Sequence, residues 1–284
     1  MKRRNLLLGT SAIAATVATS AATSGQNVQA KMQTHQHSGM AGSPQGKMVP
    51  IAGKLQGYYV TPTDPKAKKP FPAVIVIMEA FGLNSQIKGI CDMCAKYGYA
   101  ALAPDIYYGD VFDYKDLPGA IGKLKTMKDE QFTKELGQSL DFLGKRPEVK
   151  ATAIGTVGFC MGGRFAFLAN AAYPDRIKAS VAFYGGGIAS NPDPLGRASL
   201  LDRIPDMKSP LLLIYSAEDQ YINAEEHARI TTALTNARKR YTLSVFPNTQ
   251  HGFANDQRET YAPAAAQEAW DMTFGFFKRY LKQA

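Results

Sequence analysis

Cysteine is scarce in this chain: three in 284 residues, at positions 91, 94 and 160. So few excludes a disulfide-stapled scaffold. Histidine is nearly as rare, four in all, which leaves a short roster for a catalytic base or a metal centre. Beyond the first thirty residues no apolar run reaches the ~20 residues that cross a bilayer, so no later segment is expected to span a membrane. Nothing in the sequence repeats, which argues against an array architecture. The formal net charge is +9, from 33 basic and 24 acidic residues. Even so, no basic stripe with interleaved aromatics occurs, and a nucleic-acid partner is not expected. The cluster Ala237-Arg238-Lys239-Arg240 falls at what reads as a helix end, where cations complement the dipole.

What is present begins with an address. Residues 1–30 open on Lys2, Arg3 and Arg4, continue through a moderately apolar stretch diluted by Ser, Thr and Gly, and end on Val28-Gln29-Ala30. A basic start, an apolar middle and a small-x-small site are the parts of a bacterial secretory signal. The paired arginines before Asn5-Leu6-Leu7 resemble a twin-arginine export signal. Cleavage after Ala30 would leave 30 basic against 24 acidic residues, a net of +6. The expectation is a periplasmic or secreted protein, handled by the export machinery and without a stable membrane anchor after cleavage. Residues 31–52 read as a flexible linker, and 53–284 as one catalytic domain. Within the linker, His35 and His37 form a His-x-His pair too isolated to predict a metal. Cys91-x-x-Cys94 raises a redox or metal reading. It lies, however, in a stretch with Ile87, Ile90, Cys91 and Cys94 on one helical stripe, and no second ligand pair stands nearby.

From residue 55 onward, short apolar runs alternate with helix-length amphipathic segments. The runs at Phe71–Glu79, Tyr99–Tyr107, Ala151–Cys160, Lys178–Gly187, Ser209–Asp219 and Tyr241–Pro247 read as strands. A helix is expected to begin near Asn84. Further helices are expected over Lys128–Arg146, Met161–Tyr173, Asn223–Ala237 and Pro263–Gln283. The stretch after Tyr107 reads as a longer irregular insertion. Strands that are continuously apolar with helices between them indicate a largely parallel sheet covered on both faces. In such sheets a ligand crevice forms beyond the C-terminal strand ends.

Three chemically capable residues fall at three such ends. Cys160 sits in Gly158-Phe159-Cys160-Met161-Gly162, a Gly-x-nucleophile-x-Gly corner between strand and helix. Flanking glycines are required there because a Cβ would clash where the two backbones meet. Asp219 follows the strand ending near Ser216, with Glu218 as its rival. His251 lies beyond the last strand, whereas His227 falls inside a helix. A thiol nucleophile needs a base, and the base needs an acid to fix its tautomer. The chain order Cys160, Asp219, His251 is nucleophile, acid, base.

These segments resemble the dienelactone hydrolase family, also called carboxymethylenebutenolidases, over about residues 55–281. The resemblance is carried by Glu79-Ala80-Phe81-Gly82-Leu83-Asn84, by Gly98-Tyr99-Ala100-Ala101-Leu102-Ala103-Pro104-Asp105, by the cysteine corner, and by the segments around Asp219 and His251. It implies an α/β-hydrolase fold, with a mostly parallel central sheet and helices on both faces. It implies Cys160 as nucleophile, His251 as base and later proton donor, and Asp219 as the residue that orients the imidazole. The N–H groups of Met161 and Ala80 would form an oxyanion hole, Glu79 would help activate the thiol, and Tyr184 would line the pocket. The implied substrate is a small ester or lactone, with no cofactor and no metal, and a monomer is favoured.

Two departures bear on that substrate. Lactone-hydrolysing members carry an arginine four residues after the histidine. Here the position is Asn255, with Arg258 further along. The insertion over 109–130 offers only Lys115, Lys123, Lys125 and Lys128 in place of a second carboxylate-binding arginine. A broader carboxylesterase or thioesterase is therefore the alternative. A non-catalytic relative of the fold, with Cys160 as a redox-sensitive thiol, is the reading from a different class.

Overall fold

Eight strands form one sheet in the order β1-β2-β4-β3-β5-β6-β7-β8, in a computed structural model that describes residues 46–282. The expected export signal and the His35-x-His37 pair lie outside the described residues. The strands are β1 (Lys47–Ala52), β2 (Leu55–Val60), β3 (Phe71–Ile77), β4 (Ala100–Pro104), β5 (Val149–Phe159), β6 (Ile177–Phe183), β7 (Leu211–Ser216) and β8 (Tyr241–Phe246). β1 pairs antiparallel with β2, and β2 with β4; every later pair is parallel. This is the expected α/β-hydrolase architecture, a mostly parallel sheet.

The central strands explain themselves. β3 reads Phe-Pro-Ala-Val-Ile-Val-Ile, and Ala73 to Ile77 are fully buried, as both faces of a parallel sheet require. Each branched side chain taken from water there contributes about 1.5–3 kcal/mol before entropy is counted. Helices α1 (Ser85–Lys96), α3 (Asp129–Gly144), α4 (Met161–Ala172), α5 (Ala224–Asn236) and α6 (Pro263–Phe277) connect or follow the strands and cover the sheet. α1 begins where Asn84 accepts the N–H of Ile87, an N-cap that replaces one missing helical partner. Its buried stripe includes Ile87, Ile90, Cys91 and Cys94, all fully enclosed, so both of these cysteines are core residues.

Two boundaries differ from the sequence-based expectation. The linker was expected to run to residue 52, yet the chain is already strand from Lys47, with Val49 buried. Lys47 and Pro50 made the segment look like linker. They are also the residues that keep an edge strand from recruiting another. The irregular insertion contains α2 (Leu117–Leu124). Its Leu-Pro-Gly start suggested a loop, but Pro118 sits in the first turn, where its missing N–H costs nothing, and Asp116 caps the N–H of Gly119 at 3.0 Å.

Candidate active site

The corner at Cys160 is made by close backbone contact. β5 ends at Phe159 and α4 begins at Met161, leaving Cys160 alone between them with φ 54° and ψ −115°. A non-glycine residue in that region is held there by its surroundings. A Cβ on Gly158 would lie 1.9 Å from the carbonyl oxygen of Gly162, and one on Gly162 would lie 2.3 Å from that of Ile77. The Cys160 N–H donates to the Phe183 carbonyl at 3.1 Å, and the N–H groups of Gly163 and Arg164 donate to the Cys160 carbonyl. β3, β5, β6 and α4 thus fix the residue together. Its thiol is half-buried at the start of a helix, where unpaired N–H groups and the dipole favour negative charge.

The candidate acid and base lie beyond the ends of β7 and β8. Nδ1 of His251 lies 2.8 Å from Oδ2 of Asp219. That carboxylate accepts Ser216 Oγ at 3.3 Å on the same oxygen, and the N–H groups of Tyr221 and Ile222 at 2.9 and 3.2 Å on the other. Glu218 is exposed, and of the two acids it is Asp219 that the imidazole meets. His227 lies inside α5, packed at a tilt against Tyr215, and burial pushes its pKa down; it is His251 that meets the carboxylate. Burial would lower the pKa of His251 as well. Its attraction to Cys160 and its hydrogen bond to Asp219 prevail and raise it from 6.5 to about 10. Nε2 is buried with no other partner of hydrogen-bond geometry.

Glu79 follows β3 and is buried. Its Oε2 accepts the amide of Asn255 at 3.2 Å, while Oε1 has no partner. Burial raises its pKa, against the opposing pull of Arg258, His251 and the Asn255 amide. The Asn255 amide also donates to the Tyr114 hydroxyl at 2.9 Å, which the Asn84 amide reaches at the same distance. Asn84, Tyr114 and Asn255 therefore form the polar wall behind Glu79. Sequence reasoning had named Asn255 only as a departure. Arg258 packs over the Phe81 ring and against Gly252, whose added Cβ would meet it at 2.4 Å. Among the described residues it makes no ion pair.

Met161 begins α4, so its N–H has no carbonyl four residues back. Its side chain accepts from the Tyr107 hydroxyl at 3.5 Å. Ala80 directly follows Glu79 and is buried. Tyr184, one residue beyond β6, is fully buried, with its ring 5.0 Å from that of His251. Tyr221, an exposed residue that sequence reasoning missed, stands edge-on to the same imidazole at 5.0 Å. The insertion lysines do not gather here: Lys115, Lys125 and Lys128 are exposed, and Lys123 pairs with Asp110 at 2.6 Å. Among the described residues no cluster of three His, Cys, Asp or Glu side chains is suited to a metal, and no helix is long and apolar enough to cross a membrane.

A model of the dienelactone hydrolase family matches residues 55–281. "Protein usf" of Aquifex pyrophilus is 35% identical over 236 residues, covering 80% of this chain and 94% of that protein. The Aquifex aeolicus protein named "Putative carboxymethylenebutenolidase" is 33% identical over 237 residues, covering 81% and 95%. Among solved structures, the "Putative Dienelactone Hydrolase" of Klebsiella pneumoniae superposes with a TM-score of 0.75 at 28% identity, covering 83% of this chain and 98% of its own. The chain belongs to the dienelactone hydrolase family.

Proposed function

We propose that the protein hydrolyses a small carboxylic ester or lactone through a Cys160–His251–Asp219 triad and a thioacyl-enzyme. The observation that carries this reading is the half-buried thiol on a strained corner beside a buried histidine already paired to Asp219. The Cys160 proton passes to Nε2 of His251, and the sulfur attacks the ester carbonyl. The developing oxyanion is received by the N–H groups of Met161 and Ala80; losing one such donor costs about 3 kcal/mol of transition-state stabilisation. The intermediate collapses, the C–O bond breaks, and the leaving oxygen takes its proton from His251. Water, deprotonated by His251, then attacks the thioester, releasing the acid and restoring the thiol. Asp219 holds the imidazole with Nε2 free for both transfers. Glu79 helps activate the thiol and Tyr184 lines the pocket.

For the substrate, the unpaired and half-buried Arg258 supports a compound with an acidic group near its ester bond. A broader carboxylesterase is the second reading, supported by Asn255 at the position where lactone-hydrolysing members carry arginine. Residues 1–30 support export, with the mature protein working as a monomer in the periplasm or outside the cell. Purified mature protein, with and without Cys160→Ala, would be assayed on p-nitrophenyl acetate, dienelactone and acyl thioesters. Turnover of any of them that disappears with the thiol is expected; turnover untouched by Cys160→Ala would remove the nucleophile assignment. Activity on simple esters with none on dienelactone would select the second reading.

A further inference from the structure

At the end of the sheet opposite Cys160, a groove of about 280 Å³ opens between the start of β8 and the C-terminal part of α6. One wall is a single helical stripe, Met272, Gly275, Phe276, Arg279 and Tyr280, at the spacing of one helix face. Tyr241 lines the other side, its hydroxyl held by Thr235 at 2.7 Å. The Phe276 and Tyr280 rings meet edge to face at 4.8 Å, and both, like Met272 and Tyr241, are only half-buried. Gly275 keeps the groove open. A Cβ added there would meet no neighbouring group within 4 Å, so packing does not demand glycine, which inside a helix costs about 1 kcal/mol relative to alanine. Two guanidinium groups complete the lining, Arg240 and Arg279, both exposed. Arg279 rests over the Tyr280 ring at 5.4 Å. Among the described residues neither arginine side chain has an ion-pair or hydrogen-bond partner, and no carboxylate lines the groove.

We propose that this groove binds a small aromatic acid, with its ring against Phe276, Tyr241 and Tyr280 and its carboxylate on Arg240 and Arg279. The charge pattern selects the occupant. Residues 1–45 of the chain carry Lys2, Arg3, Arg4 and Lys31 and no acidic residue, so the chain's own N-terminal segment is repelled. A second copy docked here about a twofold axis would bring the same arginines together. An anion is attracted, and arginine takes a carboxylate through paired N–H donors. The volume lies just below the roughly 300–1,000 Å³ of drug-sized ligand sites, which suits a body of one or two rings. Covering half-exposed aromatic side chains removes apolar surface from water, a gain that a bare basic patch would not offer. The groove lies at the N-terminal ends of β7 and β8, whereas Cys160, Asp219 and His251 follow C-terminal strand ends. It is therefore separate from the proposed triad and stands whether or not the chain is a hydrolase.

The test is calorimetric titration of the mature protein with 2-naphthoate, and with 2-naphthalenemethanol as a neutral body of similar shape. Wild type should bind one equivalent of the acid, and the alcohol at least about tenfold more weakly. Arg240→Gln and Arg279→Gln should each weaken the acid by about tenfold, as loss of a charge-assisted hydrogen bond does. Both side chains are exposed, so these variants should melt with wild type. Gly275→Leu fills the groove from within and should abolish binding while melting no lower than wild type, because leucine favours the helix. Arg258→Gln, beside the catalytic crevice, should bind the acid as wild type does. No binding of 2-naphthoate at millimolar concentration would overturn the proposal, as would equal affinity for the alcohol or undiminished binding in Gly275→Leu. Binding lost in Arg258→Gln but kept in Arg240→Gln and Arg279→Gln would move the ligand to the crevice and overturn it too. Polyglutamate binding more tightly than 2-naphthoate would replace the small acid with an acidic macromolecule.

Discussion

Cys160 and the Cys91–Cys94 pair are the same side chain in opposite settings. Cys160 stands at a strand end, half-buried, with a histidine beside it and a helix N-terminus beneath. Cys91 and Cys94 lie inside α1, fully buried among apolar neighbours. Burial, with nearby Asp92 adding to it, pushes the Cys94 thiol up to about 12 and holds Cys91 well above its usual range. A thiol that cannot ionise is neither nucleophile nor metal ligand. On the function proposed above, reactivity belongs to the position in the fold, and a Cys-x-x-Cys spacing on the buried stripe of a helix confers none.

The largest test of this contrast is substitution. Cys160→Ala should lower ester turnover by at least about 10⁴-fold, whereas Cys91→Ala and Cys94→Ala should leave kcat/KM unchanged. A comparable loss in either α1 variant would break the comparison. Asp219→Asn should lower kcat by about 10³–10⁴-fold by releasing the imidazole from its working tautomer, and Glu218→Gln should do nothing; steady-state kinetics read both. Glu79→Gln should lower kcat by about 10²-fold. Because burial raises the Glu79 pKa, its ionisation inside the fold costs stability as pH climbs above the ordinary carboxylate range. The glutamine variant should therefore melt higher than wild type at neutral and alkaline pH.

His251 gives a smaller, sharper test. Its pKa is raised in the fold from 6.5 to about 10, so the stability it contributes is complete below pH 6.5 and is lost as pH rises through about 10. Melting temperature should decline across that window. Cys160→Ala should flatten the decline by removing a charge partner, and Cys91→Ala should not. The smallest expected effect is structural: Cys91→Ala or Cys94→Ala should cost about 1–2 kcal/mol in denaturant unfolding, as cavities in a packed core do.

The corner was legible in the sequence because its constraint is local. Gly158 is four residues from the Gly162 backbone it must accommodate, Gly162 faces the end of β3, and their spacing around Cys160 states the geometry. Asp219 could be preferred over Glu218 by its distance from the strand end, and His251 by elimination. The wall behind Glu79 was not legible: Asn255 reaches Glu79 across 176 positions and Tyr114 across 141, and hydrogen bonds of that span leave no periodic trace. β1 was missed for a different reason, because residues that protect an edge strand have the composition of a linker.

The site residues described above come from the ends of β3, β5, β6, β7 and β8, in parallel pairings whose members are far apart in the chain. Contacts of that kind are closed late and at high entropic cost. A chain that has formed its helices and one half of the sheet would hold a cysteine but no corner, since Gly162 needs β3 and the Cys160 N–H needs β6 to define it. On the proposed triad, catalytic competence would report on the joining of β3 with β5 to β8, and regain of ester turnover would time that step of refolding.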